Sequence, residues 1–164
     1  MQTNQHVSDS ELYDFIIEAC LNTYPANKGW VKTPERPGFK ELKYVKGDLS
    51  FRDSFTGQNR SQGTEVVRLR EEPLWVASYG GGMTPGNESL ARDTFGLLKR
   101  AMSASDAAFK SFRGPHEFTD GDWSYTYEQE GDVNEFSGYE EITFRGQLVF
   151  SHRIFGGRVD HNFC

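Results

Sequence analysis

Two glutamates, Glu65 and Glu140, stand at matching places in two similar stretches of this 164-residue chain. If the stretches face each other, the two carboxylates converge, an arrangement that suits a metal ion or a general acid/base pair. The plainer reading is that each glutamate points to solvent or bonds its neighbouring hairpin, since residues repeated between copies usually serve the fold. Arg52-Asp53 has no counterpart in the second stretch, where Thr126 and Tyr127 stand. A site grafted onto one half would show such asymmetry, although an ion pair within or across strands explains it more simply. Trp75, Tyr79, Trp123, Tyr125 and Tyr127 fall in strand-like patterns and read mainly as core. A subset with polar tips could line an apolar small-ligand pocket. Trp30 sits in a Pro- and Gly-rich connection, where anchoring the loop is the simpler role and ligand contact the alternative. The residues singled out for ligand binding are therefore Trp30, Arg52, Glu65, Trp75, Tyr79, Tyr125 and Glu140.

Other chemistries find little footing. Asp48 and Asp122 follow turn glycines and read as caps of their own turns. His152, Asp160, His161 and Cys164 match no metal-ligand spacing, so no metal is expected. Gly80-Gly81-Gly82 lacks the lysine-serine ending of a phosphate loop, and no serine sits in a Gly-x-Ser-x-Gly elbow. Cys20 lies on an apolar helix face and reads as an inert core thiol. No catalytic residues and no cofactor are assigned.

The elements that must position these residues come from the two stretches. Residues 47–57 align with 121–131 at an offset of 74, and 63–82 with 138–157 at an offset of 75. Nine of those 31 positions are identical, where chance at usual residue frequencies gives about two. Each stretch reads as a four-stranded meander. A helix precedes each: the first carries Leu12, Phe15, Ile16, Ala19 and Cys20 behind a cap at Ser8 or Ser10, and Pro25 ends it. The second carries Leu90, Ala91, Phe95, Leu98 and Met102 behind Asn87. Polar loops are expected at 56–63 and 128–134, the glycines at 80–82 read as a break, and the ends at 1–9 and 158–164 read as loose. The expected fold is α+β: one domain over 1–164, internally duplicated as 10–82 and 88–157. Each unit is a helix plus a four-stranded antiparallel meander, related by a pseudo-twofold axis in a curved or barrel-like sheet.

Net charge is −6, which favours solubility and argues against a general nucleic-acid binder, since phosphate contacts need clustered cations. Seventeen Gly and twenty-three aromatic residues suit a turn-rich antiparallel protein. Two distant cysteines, no apolar leader and no membrane-length apolar run point to a cytoplasmic protein without membrane contact.

With the meander laid out, further residues carry a family likeness: Phe15-Ile16-Ile17-Glu18-Ala19, Asn22-Thr23-Tyr24, Arg36-Pro37-Gly38, Leu42-Lys43-Tyr44, Gly47-Asp48, Phe51-Arg52-Asp53-Ser54, Gly57, Gly63, Glu65-Val66-Val67, Pro73, Trp75 and Phe112-Arg113-Gly114-Pro115. Over roughly residues 12–157 the chain resembles a bacterial domain family of unknown function, found alone or C-terminal to helix-turn-helix regulators. The resemblance implies no assigned chemistry and, by analogy, a sensing or interaction module. The leading expectation is a non-enzymatic small-molecule-binding module with its site between the halves. The alternatives are a protein-interaction or inhibitor/immunity-type protein, and an enzyme using Glu65 with Glu140.

Overall fold

The computed structural model describes residues 6–104, 106 and 108–161. The expected loose termini at 1–5 and 162–164, with Cys164, lie outside the described residues. Helix α1 spans Asp9–Leu21 and starts in a capping box: Ser8 Oγ accepts from the Glu11 N–H, and Glu11 accepts from the Ser8 N–H. Its buried face is Leu12, Phe15, Ile16 and Ala19. Helix α2 spans Ala91–Ser103 and buries Thr94, Leu97, Leu98, Ala101 and Met102. Asn87 does not cap it. That residue opens a 3₁₀ turn at Glu88–Leu90 and gives its amide to Thr84.

Eight strands follow the period-two alternation: β1 Lys40–Lys46, β2 Leu49–Gly57, β3 Arg60–Leu69, β4 Glu72–Met83, β5 Glu117–Asp120, β6 Trp123–Gly131, β7 Glu135–Phe144 and β8 Gln147–Arg158. They form one antiparallel sheet in the order β1-β2-β3-β4-β8-β7-β6-β5.

This overturns the α+β reading of two duplicated helix-plus-meander units in a curved or barrel-like sheet. The described residues are mostly sheet, with two α-helices of 13 residues each among them, and the sheet is open. Long-range pairing of β4 with β8 joins all strands into one layer. Helix α1 does not roof one half alone. Its Glu18 accepts from Tyr44 and Lys46 on β1, while its Asp9 accepts from Asn134 and from Arg158 on β8. Both helices share a single core with Phe51, Trp75, Tyr125, Tyr127, Phe112 and Phe150. The β1 edge is partly covered by the connection at 29–31: Lys43 N–H reaches Gly29 O at 2.8 Å and Val31 N–H reaches Glu41 O at 2.9 Å. The opposite edge, β5, is four residues long, too short to template much pairing.

Three local expectations also change. The polar stretches at 56–63 and 128–134 are largely strand, so the turns are tighter than the composition implies. Gly80–Gly82 lie inside β4, not at a break. A Cβ on Gly81 would stand 2.1 Å from Ser151 O, and one on Gly82 2.1 Å from Asn59 O. Glycine is required there for backbone to approach backbone. Arg158 is not loose: its Nε donates to Asp9 at 2.9 Å and its Nη2 to Val7 O at 2.7 Å.

Candidate functional site

The inward face of the sheet carries polar groups where the alternation calls for apolar ones. Asp53 on β2 sits between Phe51 and Phe55 and pairs across the ladder with Glu65 on β3. Glu140 on β7 lies between Tyr127 on β6 and His152 on β8. All four titratable groups are buried: Asp53 is 6 % exposed, Glu65 3 %, Glu140 0 % and His152 5 %. Arg113, from the segment between α2 and β5, reaches into the same layer.

Glu140 is fully engaged. Arg113 Nε and Nη2 hold it bidentately, with the shortest contact at 2.6 Å. Tyr125 donates to its Oε2 at 2.8 Å, and His152 Nδ1 lies 3.1 Å from its Oε1. Burial alone would raise this carboxyl, but the charge of Arg113 and the contacts of His152 and Arg113 hold it at about 2.

Glu65 and Asp53 behave oppositely. Arg113 Nη1 is 4.0 Å from Glu65 Oε1, a loose contact, because the guanidinium is committed to Glu140. Burial, then the neighbouring Asp53 charge, pushes Glu65 up to about 8. Burial raises Asp53 to about 6 against a bond from Tyr79 Oη to Oδ1 at 2.9 Å and the pull of Arg113. Near neutral pH this pair retains a proton. Glu65 Oε2 and His152 Nε2 are buried with no hydrogen-bond partner among the described residues.

These groups line a pocket of about 240 Å³. The end of α1 supplies Cys20, the residues after it Thr23 and Tyr24, and α2 supplies Phe95, Leu98, Lys99 and Met102. The sheet contributes Lys40, Phe51, Asp53, Phe55, Glu65, Tyr79 and His152, and Arg113 completes the wall. Burial pushes the Tyr24 phenol up to about 12 and the Cys20 thiol well above its usual value. Gly63 makes room for Tyr79, since a Cβ there would lie 2.3 Å from its ring. Among the described residues no cluster of three or more His, Cys, Asp or Glu could hold a metal ion.

The sequence candidates separate on this geometry. Glu65 and Tyr79 line the pocket, and Trp30 stands at its rim, 46 % exposed, its ring 6.2 Å from Phe55 and its indole N–H on Asn27. Glu140 and Tyr125 lie behind Arg113, away from the pocket wall. Trp75 is core, stacked on Phe136 at 5.8 Å. Arg52 faces the opposite side of the sheet, where it pairs with Glu41 and Glu35. The ion pair expected within or across strands is thus a cross-strand one, between Arg52 of β2 and Glu41 of β1; Asp53 takes no part in it, since neighbours along a strand point to opposite faces. Asp53 was legible from that same alternation. His152 alternates with Phe150 and Ile154, but Arg113 lies in an aperiodic stretch that the family likeness singles out without giving it a role.

A family model described as Domain of unknown function (DUF5680) matches residues 53–159. No curated protein and no solved structure matches the chain. The matched span holds Asp53, Glu65, Tyr79, Arg113, Glu140 and His152, whereas residues 12–52 of the likeness read from sequence, with α1 and Tyr24, fall outside it. Since the match covers well over half of its residues, the chain belongs to the DUF5680 family, a domain of unknown function.

Proposed function

We propose that the protein binds a small molecule in the pocket between the sheet and the ends of its two helices, and acts as a binding or sensing module. The observation that carries this reading is the pair of buried, unpartnered polar atoms, Glu65 Oε2 and His152 Nε2, on the wall of a cavity. Each such group costs about 1–3 kcal/mol if left unbonded, and a ligand that bonds both recovers that cost. The aromatic lining with a few convergent polar groups fits the usual make-up of a ligand site. Resemblance to domains attached to helix-turn-helix regulators supports a sensing role by analogy only. The test is thermal denaturation against a broad metabolite panel, with the Glu65→Gln variant in parallel. At least one ligand class is expected to raise the wild-type Tm while leaving the variant unmoved, since binding to the native state alone adds about 2.7 kcal/mol at a hundredfold excess over Kd. A panel in which no class shifts the wild type contradicts the reading.

An enzyme using Glu65 with Glu140 has less support, because Glu140 is locked as an anion behind Arg113. Protein interaction keeps one observation in its favour. On the other face of the sheet Phe155 is 64 % exposed beside a depression of about 680 Å³ lined by Arg36, Arg60 and Arg153. Pull-down with wild type and Phe155→Ser tests it: a stoichiometric partner lost with the variant supports this second reading, and none speaks against it.

A further inference from the structure

The deep wall of the pocket has a surplus of hydrogen-bond acceptors. Tyr79 spends its hydroxyl on Asp53, and Arg113 spends Nε and Nη2 on Glu140, as Tyr125 spends its hydroxyl there. What remains open on this wall is Glu65 Oε2 and His152 Nε2, both buried with no hydrogen-bond partner among the described residues. A head group that suits them must bring donors. An ammonium brings three and no acceptor, and the aromatic residues Tyr24, Phe51, Phe55 and Phe95 also line the pocket. Arg113, on the same wall, is committed to Glu140 at bidentate distance.

The mouth has the opposite polarity. Lys40 is exposed, and Lys99 is half-buried with its ammonium 4.9 Å from the Tyr24 ring. A ligand with a single positive end would leave these two cations facing nothing. The volume, about 240 Å³, lies below the usual range for drug-sized ligands of roughly 300–1,000 Å³, so the molecule is small.

We propose that this pocket takes a small ω-amino acid, its ammonium seated among Asp53, Glu65 and His152 and its carboxylate at Lys40 and Lys99. This rests on the ligand-binding reading above and assigns its ligand class. Binding is coupled to proton release. The groups facing the ammonium are Asp53 of β2, Glu65 of β3, Tyr79 of β4 and His152 of β8, with Arg113 and its partner Glu140 behind. Cys20 and Tyr24 line the pocket from the α1 end, and Lys99 of α2 and Lys40 of β1 stand at its mouth. Of these, the Asp53–Glu65 pair exchanges its proton near neutrality. The incoming cation favours the ionised pair, so the retained proton leaves to buffer. Affinity then rises with pH, by up to about tenfold per unit between about 6 and 8, and levels off above.

Isothermal titration calorimetry tests this with glycine, β-alanine, 4-aminobutyrate and 5-aminovalerate as probes, against butylamine, butyrate and butyramide. Runs at about pH 6 and pH 8, in two buffers of different ionisation enthalpy, count the protons released. One ω-amino acid is expected to bind about tenfold tighter than butylamine, with about one proton released and tighter binding at the higher pH. Butyrate and butyramide should not bind. Glu65→Gln should abolish binding at both pH values, and Lys40→Ala with Lys99→Ala should erase the advantage over butylamine. Butyrate or butyramide binding as well as the amino acids, or affinity falling with pH, overturns the proposal. If none of these probes binds yet another class gives a shift that Glu65→Gln removes, the ammonium assignment fails and ligand binding stands. If no class shifts the protein, both fail.

Discussion

Replacing Glu65 by Gln isolates the most unusual group in the protein. The amide has nearly the same shape, so packing is retained, while the titrating proton is removed. Glu65 rises from 4.5 to about 8, through burial first and the Asp53 charge second. At about 1.4 kcal/mol per unit, the linkage is on the order of 5 kcal/mol. The sign follows from proton counting. Between about 4.5 and 8 the folded state holds a proton that the unfolded chain has released, so stability falls as pH rises through that window and is flat above it. Asp53, raised from 3.8 to about 6, adds a smaller fall at lower pH. The variant keeps only the Asp53 part. Urea denaturation followed by circular dichroism from about pH 5 to pH 9 should therefore give curves that nearly meet at the acid end. They should diverge in favour of Glu65→Gln by several kcal/mol at the alkaline end, a large share of a typical stability of roughly 5–15 kcal/mol. Parallel curves across that range would refute the argument that burial keeps this carboxyl protonated.

The remaining predictions concern its surroundings. Glu140→Gln leaves the buried Arg113 charge without its partner and should cost about 3–5 kcal/mol at neutral pH in the same denaturation assay. Because Glu140 is held at about 2, its stabilisation is complete above 4.5 and lost as pH falls towards 2, so the variant should show a shallower acid limb. Gly63→Ala places a Cβ 2.3 Å from the Tyr79 ring. Such overpacking should cost about 1–3 kcal/mol, read as a drop of roughly 2–4 °C in Tm per kcal/mol, and should weaken any ligand-induced shift as Tyr79 leaves Asp53. Ser8→Ala breaks the capping box of α1 and should cost about 1 kcal/mol, with faster amide exchange at Glu11.

How far these features can be read from sequence depends on whether local pattern or distant pairing decides them. Helix α1 is legible because Ser8, Glu11 and the spacing of Leu12, Phe15, Ile16 and Ala19 act within a few turns. The strands are legible by alternation, but their ends are not. Gly80–Gly82 look like a break, although their role is to let β4 lie against Ser151 and Asn59. The α+β picture of two roofed units fails because β4–β8 pairing and the span of α1 across both halves are long-range. The same holds for the site. Leu49, Phe51 and Phe55 place Asp53 on the inward face, while Arg52 beside it faces outward and makes the cross-strand ion pair that its sequence context suggests, with Glu41. Glu65 and Glu140 do reach one guanidinium, but nothing local shows that Arg113 provides it or that it binds one of them closely and the other loosely.

The central claim is that a pocket of this sheet keeps a carboxyl protonated at neutral pH, ready to receive a ligand. Carbon-13 NMR of the side-chain carboxyls, titrated from about pH 3 to pH 10, measures this most directly. The account predicts a Glu65 resonance that titrates near 8, coupled to an Asp53 resonance near 6, while Glu140 stays ionised to about 2. Glu65 and Asp53 resonances that both finish titrating below about pH 5, as exposed carboxyls do, would contradict it.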